Sequence, residues 1–314
     1  MKHYAKVEDL NKDEYLELVK RTDYFTAGLK EGKDFTNLCP GKVIATMFFQ
    51  ESARTSSTLQ SAMIALGGGW LGIAGTEGTY IGSGEEEMSD FLRSYASVSD
   101  IMGIRHKELD LDTIREDFPI PLINGMCGKS EHTLGALGWI CVLSQVLGNI
   151  EGIKVGIYGM PKSSRPSKAF IKAISYFKPT IYVDSITPEF AVPEDIRKFA
   201  EANGAKIIEE PLADFIGEVD FLNITEGLPQ AGEDQAALDA YIKAYRVLAS
   251  DDIAKMKNGS CFMAVMPAKM MDGRSVLTPE LDKDSKNISW KFLSLWKPVS
   301  MSLITYLLNV DVKY

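Results

Sequence analysis

The chain has 314 residues, a net charge of −9, 45% hydrophobic residues and 25% charged residues. This length predicts two domains, and the composition is ordinary for a globular enzyme. The acidic balance without any basic run argues against nucleic acid as a partner. The lack of a run of about 18 apolar residues argues against a membrane-spanning segment.

The cysteines indicate a reducing compartment. They are scattered and form no Cys-x-x-Cys pair, which favours neither a disulfide scaffold nor a zinc site. Their positions are Cys39, Cys127, Cys141 and Cys261. The N-terminus lacks an apolar signal stretch. We therefore expect a cytoplasmic protein with no metal and no cofactor.

Helix and strand patterns alternate along the chain. Apolar, β-rich runs predict strands at 42–49, 70–73, 101–105, 121–124, 154–158, 180–184, 206–208, 221–224 and 262–265. Helices are predicted at 12–30, from 56 onward, and at 87–99, 132–147, 167–177, 193–203 and 298–309. Such alternation is typical of parallel sheets covered by helices on both faces, where ligands bind at the carboxyl ends of strands. The glycine-rich segment 148–152 predicts a hinge between domains.

Anion-binding chemistry follows the first strand, at the start of a helix. Helix starts present unpaired backbone N–H groups and the positive end of the helix dipole. Ser52 and Thr55 add hydroxyl donors, and Arg54 adds a permanently charged, bidentate donor suited to phosphate. The alternative interpretation is ordinary helix capping by a hydroxyl beside a surface arginine.

Residues 48–56 (Phe-Phe-Gln-Glu-Ser-Ala-Arg-Thr-Ser) resemble a known phosphate signature. The pattern Phe-x-x-x-Ser-Thr-Arg-Thr-Arg binds carbamoyl phosphate in the aspartate/ornithine carbamoyltransferase family, and similar segments recur in order across nearly the whole chain. The resemblance, closer to the aspartate branch, implies an α/β fold of two doubly wound parallel-sheet domains with a C-terminal helix packing back on the first. The implied ranges are 1–149 for carbamoyl phosphate, 150–297 for the acceptor amino acid and 298–314 for the returning helix.

The same resemblance implies a donor site. Arg105, in Ile104-Arg105-His106, matches an arginine that contacts the carbonyl and phosphate of carbamoyl phosphate. His132 matches a histidine that hydrogen-bonds the carbamoyl oxygen, although a histidine before an apolar helix is also a common helix cap. The implied carbamoyl-phosphate-binding residues are Ser52, Ala53, Arg54, Thr55, Arg105 and His132. Arg54, Thr55, Arg105 and His132 are also the implied catalytic residues.

Three further positions are implied to bind the acceptor amine. Arg165 matches an arginine that binds an acceptor carboxylate in aspartate enzymes, and a loop arginine exposed to solvent is the alternative. Glu226 falls where those enzymes carry an arginine, so the local charge is reversed and a cation or hydrogen-bond donor is favoured. Pro267 lies near the His-Pro-Leu-Pro-Arg segment of the family.

Other departures concern the donor side. Ser56 replaces the second signature arginine, and Gly135 replaces a glutamine that holds the carbamoyl amide. An acidic run at 85–87 lies where aspartate enzymes carry a loop lysine for a neighbouring subunit. We expect a carbamoyltransferase acting on carbamoyl phosphate and an amine, as a homotrimer with sites at subunit interfaces. The alternative is a catalytically silent paralogue that serves as a binding or assembly subunit.

Two nucleotide-binding classes are disfavoured by spacing. Gly125 to Ser130 has two residues between its glycines, where a P-loop needs four. Gly156 to Gly159 does not supply the Gly-x-Gly-x-x-Gly of a dinucleotide fold.

Overall fold

A computed structural model describes residues 1–50, 52–128, 131–229 and 232–314. Within these ranges the strands form a four-stranded and a five-stranded sheet. The strands are β1 (Val43–Phe48), β2 (Gly69–Ala74), β3 (Ile101–Arg105), β4 (Leu122–Asn124), β5 (Lys154–Tyr158), β6 (Thr180–Asp184), β7 (Lys206–Glu209), β8 (Phe221–Ile224) and β9 (Cys261–Ala264).

The helices are α1 (Lys12–Lys30), α2 (Ala53–Ala65), α3 (Tyr80–Ser83), α4 (Met88–Ala96), α5 (Thr133–Leu147), α6 (Arg165–Ser175), α7 (Glu194–Ala202), α8 (Leu212–Phe215), α9 (Gln235–Ala244), α10 (Ser250–Ile253), α11 (Ser289–Ser294) and α12 (Trp296–Leu307). Side-chain caps define several of their starts. The Asn11 side chain accepts the Glu14 N–H at the start of α1, with an N–O distance of 3.1 Å. Helix α9 was not predicted, although Asp234 caps it in the same way.

The first sheet has the order β2-β1-β3-β4, and all neighbouring strands are parallel. The chain passes from β1 outward to β2 and then returns to β3 on the other side of β1. The winding direction therefore changes between β1 and β3, and Phe48 lies opposite Arg105 at their carboxyl ends. In open α/β sheets, ligands bind outside the strand ends at such a switch point.

The second sheet has the order β7-β6-β5-β8-β9 and is also parallel throughout. Here the winding direction changes between β5 and β8, because β6 and β7 extend to one side of β5 and β8 and β9 to the other. Tyr158 lies opposite Ile224 at the carboxyl ends of β5 and β8. The segments that follow β5 and β8 thus start side by side.

Each sheet has its own apolar core. In the first, Met47 and Ile104 pack in one cluster with Phe91 and Leu92 of α4. In the second, Leu222 and Ile224 of β8 pack with Phe215 and Tyr241. Continuous burial along the central strands is the pattern of a parallel sheet covered on both faces.

The last helix returns to the N-terminal part of the chain. Helix α12 packs on α1 and α2. Ser302 Oγ donates to the carbonyl oxygen of Leu18 at 2.9 Å, and the Tyr306 hydroxyl donates to Glu14 at 2.8 Å. The predicted α/β class, with two doubly wound parallel sheets and a returning C-terminal helix, is confirmed.

The chain separates into two compact units. Unit 1 comprises residues 1–141 and 294–314, and unit 2 comprises residues 142–293, so one division falls within α5. The domain ranges 1–149, 150–297 and 298–314 stay a prediction.

In the described part of the chain, no helix is both long enough and apolar enough to cross a membrane. Among the same residues, no three His, Cys, Asp or Glu side chains cluster as candidate metal ligands. All four cysteines are free thiols and buried.

Candidate functional site

The predicted anion site in unit 1 is built where β1 leads into α2. Ser52 is the N-cap residue of α2, but its side chain makes no capping hydrogen bond. Arg54 is exposed on the first turn, and Thr55 is 2% exposed. The helix starts at Ala53 rather than near Ser56, because its polar first turn does not show the apolar spacing used to predict it. The alternative interpretation, in which the Ser52 side chain caps the helix, is therefore not supported.

Ser56, which replaces the second signature arginine, is bound to its own helix. Its hydroxyl donates to the carbonyl oxygen of Ser52 at 2.7 Å. Hydroxyls in helices commonly bond the preceding turn in this way. The donor site therefore has one signature arginine, Arg54, and a hydroxyl committed to the backbone in place of the second.

Arg105 is the last residue of β3, which neighbours β1. The Phe49 N–H donates to the Arg105 carbonyl oxygen at 2.9 Å, so the chain entering the β1–α2 loop is bonded to Arg105. The adjacent His106 accepts the N–H groups of Glu108 and Leu109 at Nδ1, at 3.1 and 2.9 Å. The switch point brings Arg105 beside the anion loop, while His106 holds a turn.

His132 lies just before α5 and is 5% exposed. Its Nδ1 accepts the Gly135 N–H, with an N–N distance of 3.3 Å. A Cβ atom at position 135 would lie 3.3 Å from the imidazole ring, so the glycine leaves room for this cap. The ring also makes an edge-to-face contact with Trp296, with centroids 5.9 Å apart.

Two buried side chains that sequence reasoning missed anchor the segments around His132. Asn124 Oδ1 accepts the N–H groups of Met126 and Cys127 at 2.8 and 2.7 Å, and its Nδ2 donates to Ala5. Glu131 is 3% exposed and accepts the Val7 N–H at 2.8 Å. Asn124 ends a strand, which was the available signal. Lys129, Ser130 and Glu51 lie outside the described residues.

In unit 2, Arg165 is the first residue of α6, which follows β5. Ser164 caps this helix by accepting the Ser167 N–H at 3.2 Å. This cap explains why α6 begins at Arg165 rather than at 167. Arg165 is half-buried, in contrast to the alternative of a solvent-exposed loop arginine.

Glu226 follows β8, on the other side of the switch point from Ser164. The Ser164 hydroxyl donates to Glu226 Oε2 at 2.8 Å. Burial raises the pKa of Glu226 to about 7, against the opposing effects of the Ser164 hydrogen bond and the charges of Arg165 and Lys168. The structure therefore brings Arg165 and Glu226, 61 positions apart in the sequence, into one electrostatic environment.

Pro267 follows β9, the neighbour of β8. The Val265 N–H donates to the Ile224 carbonyl oxygen at 2.9 Å, which continues the β8–β9 pairing toward Pro267. The Met266–Pro267 peptide is cis, and Pro267 itself is exposed. The three predicted acceptor positions thus follow β5, β8 and β9, which are consecutive in the sheet.

A family model described as the carbamoyl-phosphate-binding domain of aspartate/ornithine carbamoyltransferase matches residues 2–143. The aspartate carbamoyltransferase catalytic subunit of Sulfolobus acidocaldarius is 29% identical over 308 residues, covering 97% of this chain and 98% of that protein. Over nearly its whole length, this chain is therefore similar to aspartate carbamoyltransferase catalytic subunits. The catalytic subunit from Finegoldia magna is 26% identical over 305 residues and covers 96% of both proteins.

Solved structures share the carbamoyltransferase fold. Aspartate transcarbamoylase from Trypanosoma cruzi, in complex with N-(phosphonacetyl)-L-aspartic acid, gives a TM-score of 0.88 at 20% identity and covers 99% of this chain and 96% of that one. The catalytic subunit from M. jannaschii gives 0.85 at 23% identity, with 98% of each chain covered. At these identities the likeness establishes the fold.

Proposed function

We propose that this protein transfers the carbamoyl group of carbamoyl phosphate to the amine of an amino-acid-like acceptor. The observation that carries the proposal is the start of α2. There the Ser52 hydroxyl is not used as a cap, and Arg54 and Thr55 occupy the first turn beside the end of β3. Strand end, helix start and arginine together suit a phosphate dianion.

The proposed reaction needs positioning and electrostatics rather than a covalent nucleophile. The neutral amine attacks the carbonyl carbon, so a C–N bond forms and the carbonyl oxygen becomes an oxyanion. The C–O bond to phosphate then breaks, and the departing phosphate accepts the proton that the amine loses. Holding both reactants in line and stabilising the oxyanion lower this barrier.

Each donor-side residue has one role in this proposal. Ser52, Arg54 and the first-turn N–H groups hold the phosphate. Thr55, Arg105 and the His132 imidazole stabilise the oxyanion. Since His132 Nδ1 accepts from Gly135, a neutral ring carries its proton on Nε2.

On the acceptor side, Arg165 orients a carboxylate, with Glu226 and Pro267 as further contacts. The curated relatives are named aspartate carbamoyltransferase catalytic subunits, which supports an aspartate-like acceptor. Because these relatives are named catalytic subunits, an enzyme is favoured over a catalytically silent paralogue. A cytoplasmic homotrimer with sites at subunit interfaces completes the proposal. Light scattering should then give three times the 34.7 kDa chain mass.

The function is tested by incubating the protein with carbamoyl phosphate and a panel of amines and measuring ureido product colorimetrically. Calorimetric titration with a phosphonate mimic of carbamoyl phosphate measures the donor site independently. We expect a ureido product with at least one amino acid, and saturable phosphonate binding. No product with any amine together with no phosphonate binding would contradict the proposal and favour the silent subunit.

A further inference from the structure

A chain of hydrogen bonds runs through the buried interior of unit 2 and ends at Glu226. Asn223 Nδ2 donates to Ser167 Oγ at 3.0 Å, and Ser167 Oγ lies 2.9 Å from Ser164 Oγ. Ser164 Oγ lies 2.8 Å from Glu226 Oε2. Asn223, Ser167 and Ser164 are each fully buried, so water does not compete for these bonds.

The Ser164 hydroxyl has two hydrogen-bond acceptors within reach, Ser167 Oγ and Glu226 Oε2. Its single O–H serves one of them at a time, and an ionised carboxylate is the stronger acceptor of the two. Asn223 Nδ2 donates to Ser167 Oγ from the other side, so the Ser167 hydroxyl is also held in place. These buried bonds fix the position of Ser164 Oγ beside the Glu226 carboxyl group and limit the rotation of that group.

The chain ends at the topological switch point of the second sheet. Ser164 and Ser167 belong to the segment after β5, and Asn223 and Glu226 to β8 and the segment after it. The carboxyl ends of β5 and β8 are where a ligand of this sheet is expected. A carboxylate held in place there is arranged to contact a ligand, although the same position is an arginine in the aspartate branch that the sequence resembles.

The surrounding charges suit a zwitterionic ligand. Arg165 and Lys168, both on α6, act on Glu226 as positive charges, and Tyr241 of α9 is close enough to be affected by the Glu226 charge. A ligand carboxylate is attracted by Arg165. A second carboxylate at Glu226 would meet a like charge in a poorly hydrated place, which is a strong means of rejecting one ligand among similar ones.

Resting on the proposed carbamoyl transfer, we propose that Glu226 determines acceptor specificity by binding an N–H-bearing side group, ammonium or carboxamide, where aspartate has its second carboxylate. Ser164, Ser167 and Asn223 are positioning residues that hold the Glu226 carboxylate. The acceptor is thus an amino acid with a nitrogen-ended side chain, and aspartate is a poor acceptor.

Three amino acids with short side chains that end in different groups test this specificity: aspartate, asparagine and 2,3-diaminopropionate. Each is titrated calorimetrically into the protein with and without the saturating phosphonate mimic, at about pH 8.5, where the Glu226 carboxyl group with its pKa of about 7 is ionised. We expect the two nitrogen-ended compounds to bind at least about tenfold more tightly than aspartate. They gain a hydrogen bond to the charged Glu226, whereas the second carboxylate of aspartate is repelled by it. Aspartate binding equally tightly or more tightly would overturn the inference, as would no binding by any of the three.

Variants test whether Glu226 recognises the ligand or only supports the fold. Glu226→Gln should bring the three affinities within about threefold of one another, since the charge that discriminates them is gone. Glu226→Arg should reverse the order in favour of aspartate. Ser167→Ala should weaken binding of the nitrogen-ended compounds but leave phosphonate affinity unchanged, and circular dichroism verifies folding in each case. An unchanged affinity ratio in folded Glu226→Gln contradicts the assignment.

The result also distinguishes two kinds of failure. If the phosphonate does not bind and no ureido product forms, the proposed function is wrong, and the titrations without phosphonate still measure the acceptor preference. If the phosphonate binds and product forms with aspartate as the best acceptor, only the inference about Glu226 is wrong.

Discussion

The Gly135 backbone N–H donates to His132 Nδ1, so this ring nitrogen caps α5. The family residue at position 135 is a glutamine, and a side chain there would crowd the ring at 3.3 Å. Capping and oxyanion stabilisation were alternatives for His132 in the sequence. The structure makes them compatible, because they use different nitrogen atoms.

His132→Asn tests the donor role. An asparagine keeps an oxygen acceptor for the Gly135 N–H but removes the Nε2–H donor. We expect kcat to fall by about 10²–10³, the usual effect of removing one oxyanion donor. Phosphonate affinity should be retained. His106→Asn is the matched control, since His106 accepts the N–H groups of Glu108 and Leu109 and packs edge-to-face against Phe49. Equal loss of kcat in both variants would remove the special role of His132.

Ser52→Ala and Asn11→Ala should have opposite profiles. The Asn11 side chain caps α1, so its removal should cost about 1 kcal/mol of stability. Ser52 makes no such bond, so Ser52→Ala should cost under about 0.5 kcal/mol and instead weaken phosphonate binding. Urea unfolding and calorimetric titration of both variants measure the two effects. A large loss of stability with unchanged phosphonate affinity in Ser52→Ala would show that Ser52 has a structural role instead.

Arg54→Ala should abolish detectable phosphonate binding while leaving the fold intact. Arg54 is exposed, so its loss opens no cavity in the core. Its guanidinium supplies the permanent charge and paired donors of the proposed cradle. Lys198→Ala, which removes a positive charge from the exposed surface of α7, is the control. Calorimetric affinity that is the same in Arg54→Ala and wild type would refute the cradle.

Glu226 should make stability depend on pH. Its pKa rises from 4.5 to about 7 on folding because of burial, so the folded state binds the proton more tightly than the unfolded state. This contribution is complete below about pH 4.5 and is lost as pH rises through about 7. Glu226→Gln does not titrate and should gain stability relative to wild type, on the order of 2 kcal/mol, between about pH 4.5 and pH 8.

Urea unfolding of wild type and Glu226→Gln at both ends of this pH range measures the difference. Tyr241 stays protonated throughout this range, because burial raises its pKa far above it. The change is therefore assigned to Glu226. A stability difference that does not vary with pH would show that folding does not raise the pKa of Glu226.

Sequence patterns predicted the repeating elements well, because burial in a parallel sheet demands continuous apolar runs. The runs at 101–105 and 154–158 coincide with β3 and β5, and α1 coincides with the predicted helix at 12–30. Helix α9 escaped prediction despite its Asp234 cap and its buried Leu238 and Tyr241. Its position between irregular segments hid the apolar face.

The proposed donor-side residues could be recognised in the sequence because they are close together in the chain. Ser52, Arg54 and Thr55 are consecutive or nearly so, and a helix start brings such neighbours together wherever it occurs. Sequence by itself therefore determined the anion motif, the α/β class and the reversed charge at Glu226. It left open whether Ser52 and His132 were structural, since capping depends on which hydrogen bonds the folded backbone satisfies.

The order of the strands in the second sheet decided which residues surround Glu226. Ser164 and Glu226 are separated by 62 positions and become hydrogen-bonded only because β5 and β8 are neighbours at the switch point. Asn223 and Ser167 join them for the same reason. Neither periodicity nor spacing encodes which parallel strands pair, because that choice minimises exposed apolar surface over the whole sheet. The environment of Glu226, and hence the raised pKa of its carboxyl group, exists only in the folded chain.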